Sequence, residues 1–204
     1  MLTTRRLLFS ICGIFFFSSF IFGKKIRTPW QGEGPFYPDK IPKDTDYNLL
    51  KNGESNIEAG GKILNLRGIL VDIYNRPLKG VVVEIWQTDM NGVYLHSQSF
   101  GIKERDKKFQ GFGRSITNKN GHFYFRTIIP ASYSGRAPHI HLKLLSDKSN
   151  ILTTQLYIHS HPLNEKDFLF RSMDKYEQEI NSMKISHVKK RNTNEYNTSV
   201  TLIV

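Results

Sequence analysis

Two histidines stand one residue apart in Ser134-Gly-Arg-Ala-Pro-His-Ile-His-Leu-Lys-Leu-Leu145, at the start of an alternating apolar run. In a strand, side chains at i and i+2 point the same way, so His139 and His141 share a face while Ile140, Leu142 and Leu144 take the other. Two imidazoles on one face are either solvated or bound to something. If a first-row metal is bound, further ligands are needed, because two imidazoles rarely hold one tightly. Cys12 is the only cysteine and falls within the amino-terminal leader, so the rest of the chain offers neither thiolate nor disulfide. The anionic candidates are tyrosines: Tyr133, six residues before His139, and Tyr94, at the end of the run that follows Trp86. Coordination to a trivalent cation depresses a phenol pKa far below its usual value of about 10. Two tyrosinates with two neutral histidines therefore favour ferric iron over ferrous iron or zinc. A second pair, His159-Ser-His161, is followed at once by Pro162 and reads as a loop.

The elements that must hold these side chains are mostly strands. From Gly61 onward, short β-like runs alternate with turns: Lys62 to Ile73, Gly80 to Gln87, Val93 to His96, Arg114 to Thr117, Phe123 to Ile129, His139 to Leu145, Thr153 to Ile158 and Ser199 to Val204. Asn75-Arg-Pro77, Asp89-Met-Asn-Gly92 and Asn118-Lys-Asn-Gly121 are turn signals. This pattern predicts an all-β, antiparallel β-sandwich over residues 61–204. One late helix is predicted after Pro162, where Leu169, Met173, Tyr176, Ile180 and Met183 recur at helical spacing, with Asn164 or Asp167 as its cap. Residues 24–60 contain Thr28-Pro-Trp-Gln-Gly-Glu-Gly-Pro-Phe-Tyr-Pro38, too rich in Gly and Pro for helix or regular strand. They are expected to form an arm laid against the sandwich. In that arm Phe36 and Tyr37 are either pocket lining or packing anchors.

Residues 1–23 carry Arg5 and Arg6 ahead of sixteen uncharged residues, Leu7 to Phe22. That is the layout of a signal peptide or a membrane anchor through residues 7–22, and the paired arginines resemble a twin-arginine export signal. The protein is thus expected to be exported, either free in the periplasm or anchored to the membrane facing it. Arg5, Arg6, Lys24, Lys25 and Arg27 account for five of the net +11, leaving +6 for residues 28–204. So modest and scattered an excess points to a basic surface that attracts anionic aromatics, with no nucleic-acid partner. A chain of 204 residues that is 39% hydrophobic is long enough for a single packed core.

Several blocks carry a resemblance. Glu33-Gly-Pro-Phe-Tyr37, Val83-Glu-Ile-Trp-Gln-Thr-Asp-Met-Asn-Gly-Val-Tyr-Leu-His96, Phe112-Gly-Arg114, Gly121-His-Phe-Tyr-Phe-Arg-Thr-Ile-Ile-Pro130, Arg136-Ala-Pro-His-Ile-His141 and Leu152-Thr-Thr-Gln-Leu-Tyr157 resemble, in order, the blocks of the intradiol ring-cleavage dioxygenases. That family includes the protocatechuate 3,4-dioxygenases and catechol 1,2-dioxygenases. The resemblance implies one non-haem Fe(III) per chain, held by Tyr94, Tyr133, His139 and His141. Tyr133 and His141 would be axial, Tyr94 and His139 equatorial, and hydroxide would take the fifth position. It implies Arg136 as the residue that stabilises the reacting substrate and Gln155 as a neighbour of the pocket. The implied reactants are a small aromatic diol and O2, and the product a cis,cis-muconate-type dicarboxylate. The run between Tyr133 and His139, five residues, is shorter than in the larger members, and a monomer or small homo-oligomer is expected. Two other readings stay open on sequence. Gly68 to Val83 also resembles the opening of transthyretin-like β modules, which bind partners without iron, and the two His-x-His pairs could together serve copper or zinc.

Overall fold

A computed structural model describes residues 25–53, 58–99, 103–147, 149–190 and 193–204. The leader, residues 1–23, and Lys24 lie outside them, and among the described residues no helix is long and apolar enough to cross a membrane. Among the described residues nine strands form two mixed sheets: β1 (Ile63–Val71), β2 (Val82–Trp86), β3 (Phe112–Ile116), β4 (His122–Ile128), β5 (His139–Ser146), β6 (Ser149–Ile158), β7 (Ser182–Met183), β8 (Ser186–Lys190) and β9 (Thr193–Ile203). One sheet has the order β4-β1-β9-β8 and the other β3-β2-β5-β6-β7. The all-β prediction holds. Antiparallel pairing is not universal, since β1 runs parallel to β9 and β6 parallel to β7. Alternation specifies which face a strand buries but not which strand lies beside it. The helical crossover after β6 brings the chain back so that β7 runs parallel to β6, and β9, antiparallel to β8 before it, lies parallel to β1.

The main core lies between the sheets and follows the period of two. Leu64, Leu66, Leu70, Phe123 and Phe125 meet Val83, Ile85, Ile140, Leu142, Leu144 and Leu156, all buried. At about 25 cal/mol per Å² of apolar area, each such side chain contributes roughly 1.5–3 kcal/mol on burial. Turn chemistry sets the tight β3–β4 connection between the two sheets. Asn118 Oδ1 accepts from the backbone N–H groups of Asn120 and His122, and Gly121 adopts φ +75°, where a Cβ would come within 2.4 Å of Leu70 O. Val93–His96, expected as a strand, is a loop instead. Asp89 Oδ1 accepts from the N–H groups of Asn91 and Val93 and curls that segment away from the β2 ladder.

The alternation that packs β5 inward sends His139, His141 and Lys143 to the outer face of its sheet, beside Glu84 and Trp86 from β2. Two smaller clusters cover that outer face. Trp86, Tyr94 and Phe112 pack with Phe36, Tyr37 and Tyr133, while Ala137, Tyr157, Phe170 and Met173 pack with Leu163. The segment before β1 is tied to the sheets by hydrogen bonds. Thr28 N–H donates to Ile203 O at 2.9 Å, Gln31 N–H to Thr153 O at 2.8 Å and Thr154 Oγ1 to Pro29 O at 2.7 Å. The late helical segment is two short helices, α1 (Phe168–Ser172) and α2 (Lys175–Ile180), after a 3-10 turn at Asn164–Lys166. The break falls at Met173-Asp174, because Asp174 forms a capping box with Glu177 and starts a new helix. Ser182–Met183, at the end of the helical pattern, pairs with β6 as β7.

Candidate metal centre

His139 enters β5 with Nδ1 2.6 Å from Ala137 O. That contact assigns the proton to Nδ1 and leaves the Nε2 lone pair free. His141 follows two residues on, and its ring stacks on Trp86 with centroids 4.8 Å apart and planes at 11°. Its Nδ1 is buried without a hydrogen-bond partner among the described residues, as is Trp86 Nε1, so stacking is what orients this imidazole. Trp86 is buried on the outer face of β2, one side chain out of phase with Val83 and Ile85.

Tyr94 reaches the histidines from the loop after β2. Its N–H donates to Ser99 Oγ at 2.9 Å, and Gly92, at φ +82°, lets the loop press on the next one: a Cβ there would lie 2.9 Å from Ser132 O. The neighbouring loop carries Tyr133. It closes in a tight turn in which Arg136 N–H donates to Tyr133 O at 2.6 Å, with Ser134 and Gly135 at positive φ. Tyr133 stands edge-on to Tyr94 at 5.1 Å and tilted to His139 at 5.8 Å. It is half-buried, whereas Tyr94, His139 and His141 are 1–2% exposed.

Three Lewis-basic atoms therefore converge. Tyr94 Oη, His139 Nε2 and His141 Nε2 form a triangle with every edge 3.1 Å. Donors about 2.0–2.1 Å from a first-row ion lie roughly 3.0–3.4 Å from one another, so this edge fits a shared cation. Charge supports the fit. Burial, and then the Arg136 charge, push His139 down to about 3, while burial, His139 and Arg136 hold His141 well below its ordinary value. Both imidazoles are thus neutral at physiological pH, the form in which a histidine can bind a metal. Burial, then the Tyr133 phenol, hold Tyr94 well above the ordinary phenol range, so its ionisation requires a cation at the triangle. Among the described residues no three His, Cys, Asp or Glu side chains group as a metal site; the third atom converging on this triangle is the phenolic oxygen of Tyr94.

Arg136 and Gln155 meet beside this triangle. Gln155 lies opposite His141 and Tyr157 opposite His139 across the β5–β6 ladder. Arg136 Nη2 donates to Gln155 Oε1 at 2.7 Å and to Tyr157 Oη at 3.0 Å, and Nε donates to Asp167 Oδ2 at 2.8 Å. Burial opposes the guanidinium charge, but Tyr157 and Asp167 outweigh it and hold its pKa raised. Tyr157 and Asp167 were missed as site residues. Tyr157 sits two residues after Gln155, and that shared-face spacing could have found it; Asp167 reads in sequence only as a helix cap. Phe36 lines the site, stacked on Tyr94 at 5.1 Å, whereas Tyr37 packs against Trp86 and donates to Glu84 Oε2. His159 and His161 stay in a loop as expected, His159 3.5 Å from Glu179.

A family model described as Dioxygenase matches residues 32–202. The protocatechuate 3,4-dioxygenase beta chain of Burkholderia cepacia is 32% identical over 145 residues, 67% of this chain and 62% of that protein. Catechol 1,2-dioxygenase of Acinetobacter baylyi is 28% identical over 170 residues, 74% of this chain and 53% of that protein. The chain thus spans between half and two thirds of these relatives' lengths. Among solved structures, the dioxygenase domain of a dioxygenase carbohydrate-binding protein fusion from Streptomyces sp. SirexAA-E has a TM-score of 0.67 at 27% identity, covering 88% of this chain and 98% of that one. An intradiol ring-cleavage dioxygenase from Tetranychus urticae shares the fold, with a TM-score of 0.67 at 24% identity over 87% and 93% of the two chains.

Proposed function

Because the chain belongs to the intradiol ring-cleavage dioxygenase family, we propose that it cleaves a small aromatic diol with O2, between the two hydroxylated carbons, to a cis,cis-muconate-type dicarboxylate. Both oxygen atoms enter the product, so catechol and O2 balance against muconic acid without a further reductant. The observation that carries this reading is the 3.1 Å triangle of Tyr94 Oη, His139 Nε2 and His141 Nε2 with Tyr133 against its edge. Tyr94, Tyr133, His139 and His141 would hold Fe(III), one per chain, which supplies Lewis-acid activation of the bound diol.

The protein's own contribution divides among named groups. Tyr133, on a tight turn and half-buried, is the tyrosine placed to give up its position and take a hydroxyl proton from the diol at Oη. Tyr94, packed under Phe36, stays fixed. Arg136 presents a cation to negative charge that develops on the ring, in a site where low polarity strengthens the interaction. Trp86, Phe36 and Tyr157 keep bulk water from it. The copper or zinc alternative has no such support, since His159 is paired with Glu179 and the described residues hold no His-rich cluster. A partner-binding module would have no use for the triangle. The expectation that the leader exports the chain belongs to the same proposal.

Loading with ferric iron and titrating anaerobically with catechol, protocatechuate and hydroxyquinol tests the reading. A red-brown charge-transfer band that shifts on adding one diol, then a muconate on admitting O2, is expected. A colourless loaded protein, or an unchanged band in Tyr133→Phe, would sink it.

A further inference from the structure

Asp167 is fully buried and every lone pair it directs into the protein is used. Oδ1 accepts from Leu169 N–H at 3.0 Å and Phe170 N–H at 3.1 Å, which caps α1. Capping a five-residue helix uses only that oxygen. Oδ2 turns the other way, accepting from Arg136 Nε and from Ala137 N–H, each at 2.8 Å. Ala137 O in turn holds His139 Nδ1 at 2.6 Å. One carboxylate thus grips the guanidinium and the N–H of Ala137, the residue whose own carbonyl sets the tautomer of His139. The guanidinium has its Nε on Asp167 and its Nη2 shared by Gln155 and Tyr157, so Nη1 is the nitrogen without a protein partner among the described residues.

We propose that Asp167 is a positioning residue: it holds Arg136 with Nη1 free for the reacting diol and, through Ala137, stiffens His139 as a ligand. This rests on the dioxygenase reading for what Arg136 does. A plain helix cap predicts something different. Asp167→Asn keeps an oxygen for Leu169 and Phe170 but sets an amide NH2 against two donors, Arg136 Nε and Ala137 N–H. Asp167→Ser keeps a good cap and withdraws from Arg136 altogether.

In the iron-loaded full chain both variants are expected to keep the diol-induced spectral shift and a KM within a few-fold, while kcat falls about 10²-fold, as for loss of a preorganised group. Ferric affinity should fall about 10-fold or more through His139. Chemical rescue separates positioning from folding. Millimolar guanidinium should raise the thermal midpoint of Arg136→Ala and restore part of its turnover, and should do neither in Arg136→Ala/Asp167→Asn. Equal rescue in both backgrounds, or full kcat and iron affinity in Asp167→Ser, overturns the proposal. Unchanged turnover in Arg136→Ala would instead remove the role given to Arg136. If no diol turns over, the guanidinium midpoint shift and the iron affinity still decide whether Asp167 positions these groups.

Discussion

Acidifying the metal-free protein should destabilise it through a histidine that cannot charge where it is. His139 is 2% exposed and is pushed down to about 3 by burial and then by Arg136, against an ordinary value of 6.5. The folded state therefore keeps it neutral while the unfolded chain takes up a proton. Its contribution is intact above pH 6.5 and is lost progressively as the pH falls from there toward 3. Each unit in that window is worth about 1.36 kcal/mol, so the loss by pH 4.5 is about 2.7 kcal/mol. His141 shifts in the same direction and steepens the fall. With a urea m-value of about 2 kcal/mol/M, the denaturation midpoint should drop by about 1.3 M between pH 7.5 and pH 4.5. His139→Gln carries no titrating group, and its midpoint should fall by markedly less over the same interval. Parallel losses in parent and variant would refute the assignment of the acid lability to this imidazole.

Two further substitutions separate fold from site. Leu142→Ala removes a fully buried side chain from the inner face of β5 and should cost about 2–5 kcal/mol in urea denaturation while leaving the iron band in place, since His141 points the other way. Gly92→Ala puts a Cβ 2.9 Å from Ser132 O at a φ of +82°. It should cost about 1–3 kcal/mol and weaken ferric binding by parting the Tyr94 and Tyr133 loops, which competition with a chelator reads directly.

Much of this arrangement is legible in residue order. The period of two across His139 to Leu144 fixes an inner apolar face and an outer face bearing both imidazoles, and the structure puts them there. The same logic applied to Glu84-Ile-Trp86 puts Trp86 on the face opposite Ile85, where the structure has it. What periodicity cannot supply is strand neighbours, and so the parallel entry of β9 beside β1 was not legible. Nor was the loop at Val93–His96, where an apolar run with strand propensity is overridden by two backbone hydrogen bonds to Asp89. The pairing of Arg136 with Asp167 spans 31 residues and depends on how the chain returns after β6. Within its own segment Asp167 already has a sufficient local role as a cap.

These gaps share a cause. A sandwich buries the inner faces of its sheets by itself, but a centre built on an outer face needs a cover from elsewhere in the chain. Without one, the imidazoles would be solvated and would titrate near 6.5, and the Arg136 charge would be screened. Here two irregular segments supply the cover, and each brings polar groups as well as bulk. The arm lays Phe36 on Tyr94 and offers Gly32 O to Gln155 Nε2; the segment after β6 brings Phe170 against Tyr157 and Asp167 against Arg136. The two histidines sit on a strand whose periodicity is strong, whereas Tyr94 and Tyr133 sit on loops. The groups that set the histidines' tautomer and charge, Ala137, Arg136 and Asp167, sit where periodicity is weakest, which is why a strand-by-strand reading reaches the proposed histidine ligands before the residues that tune them.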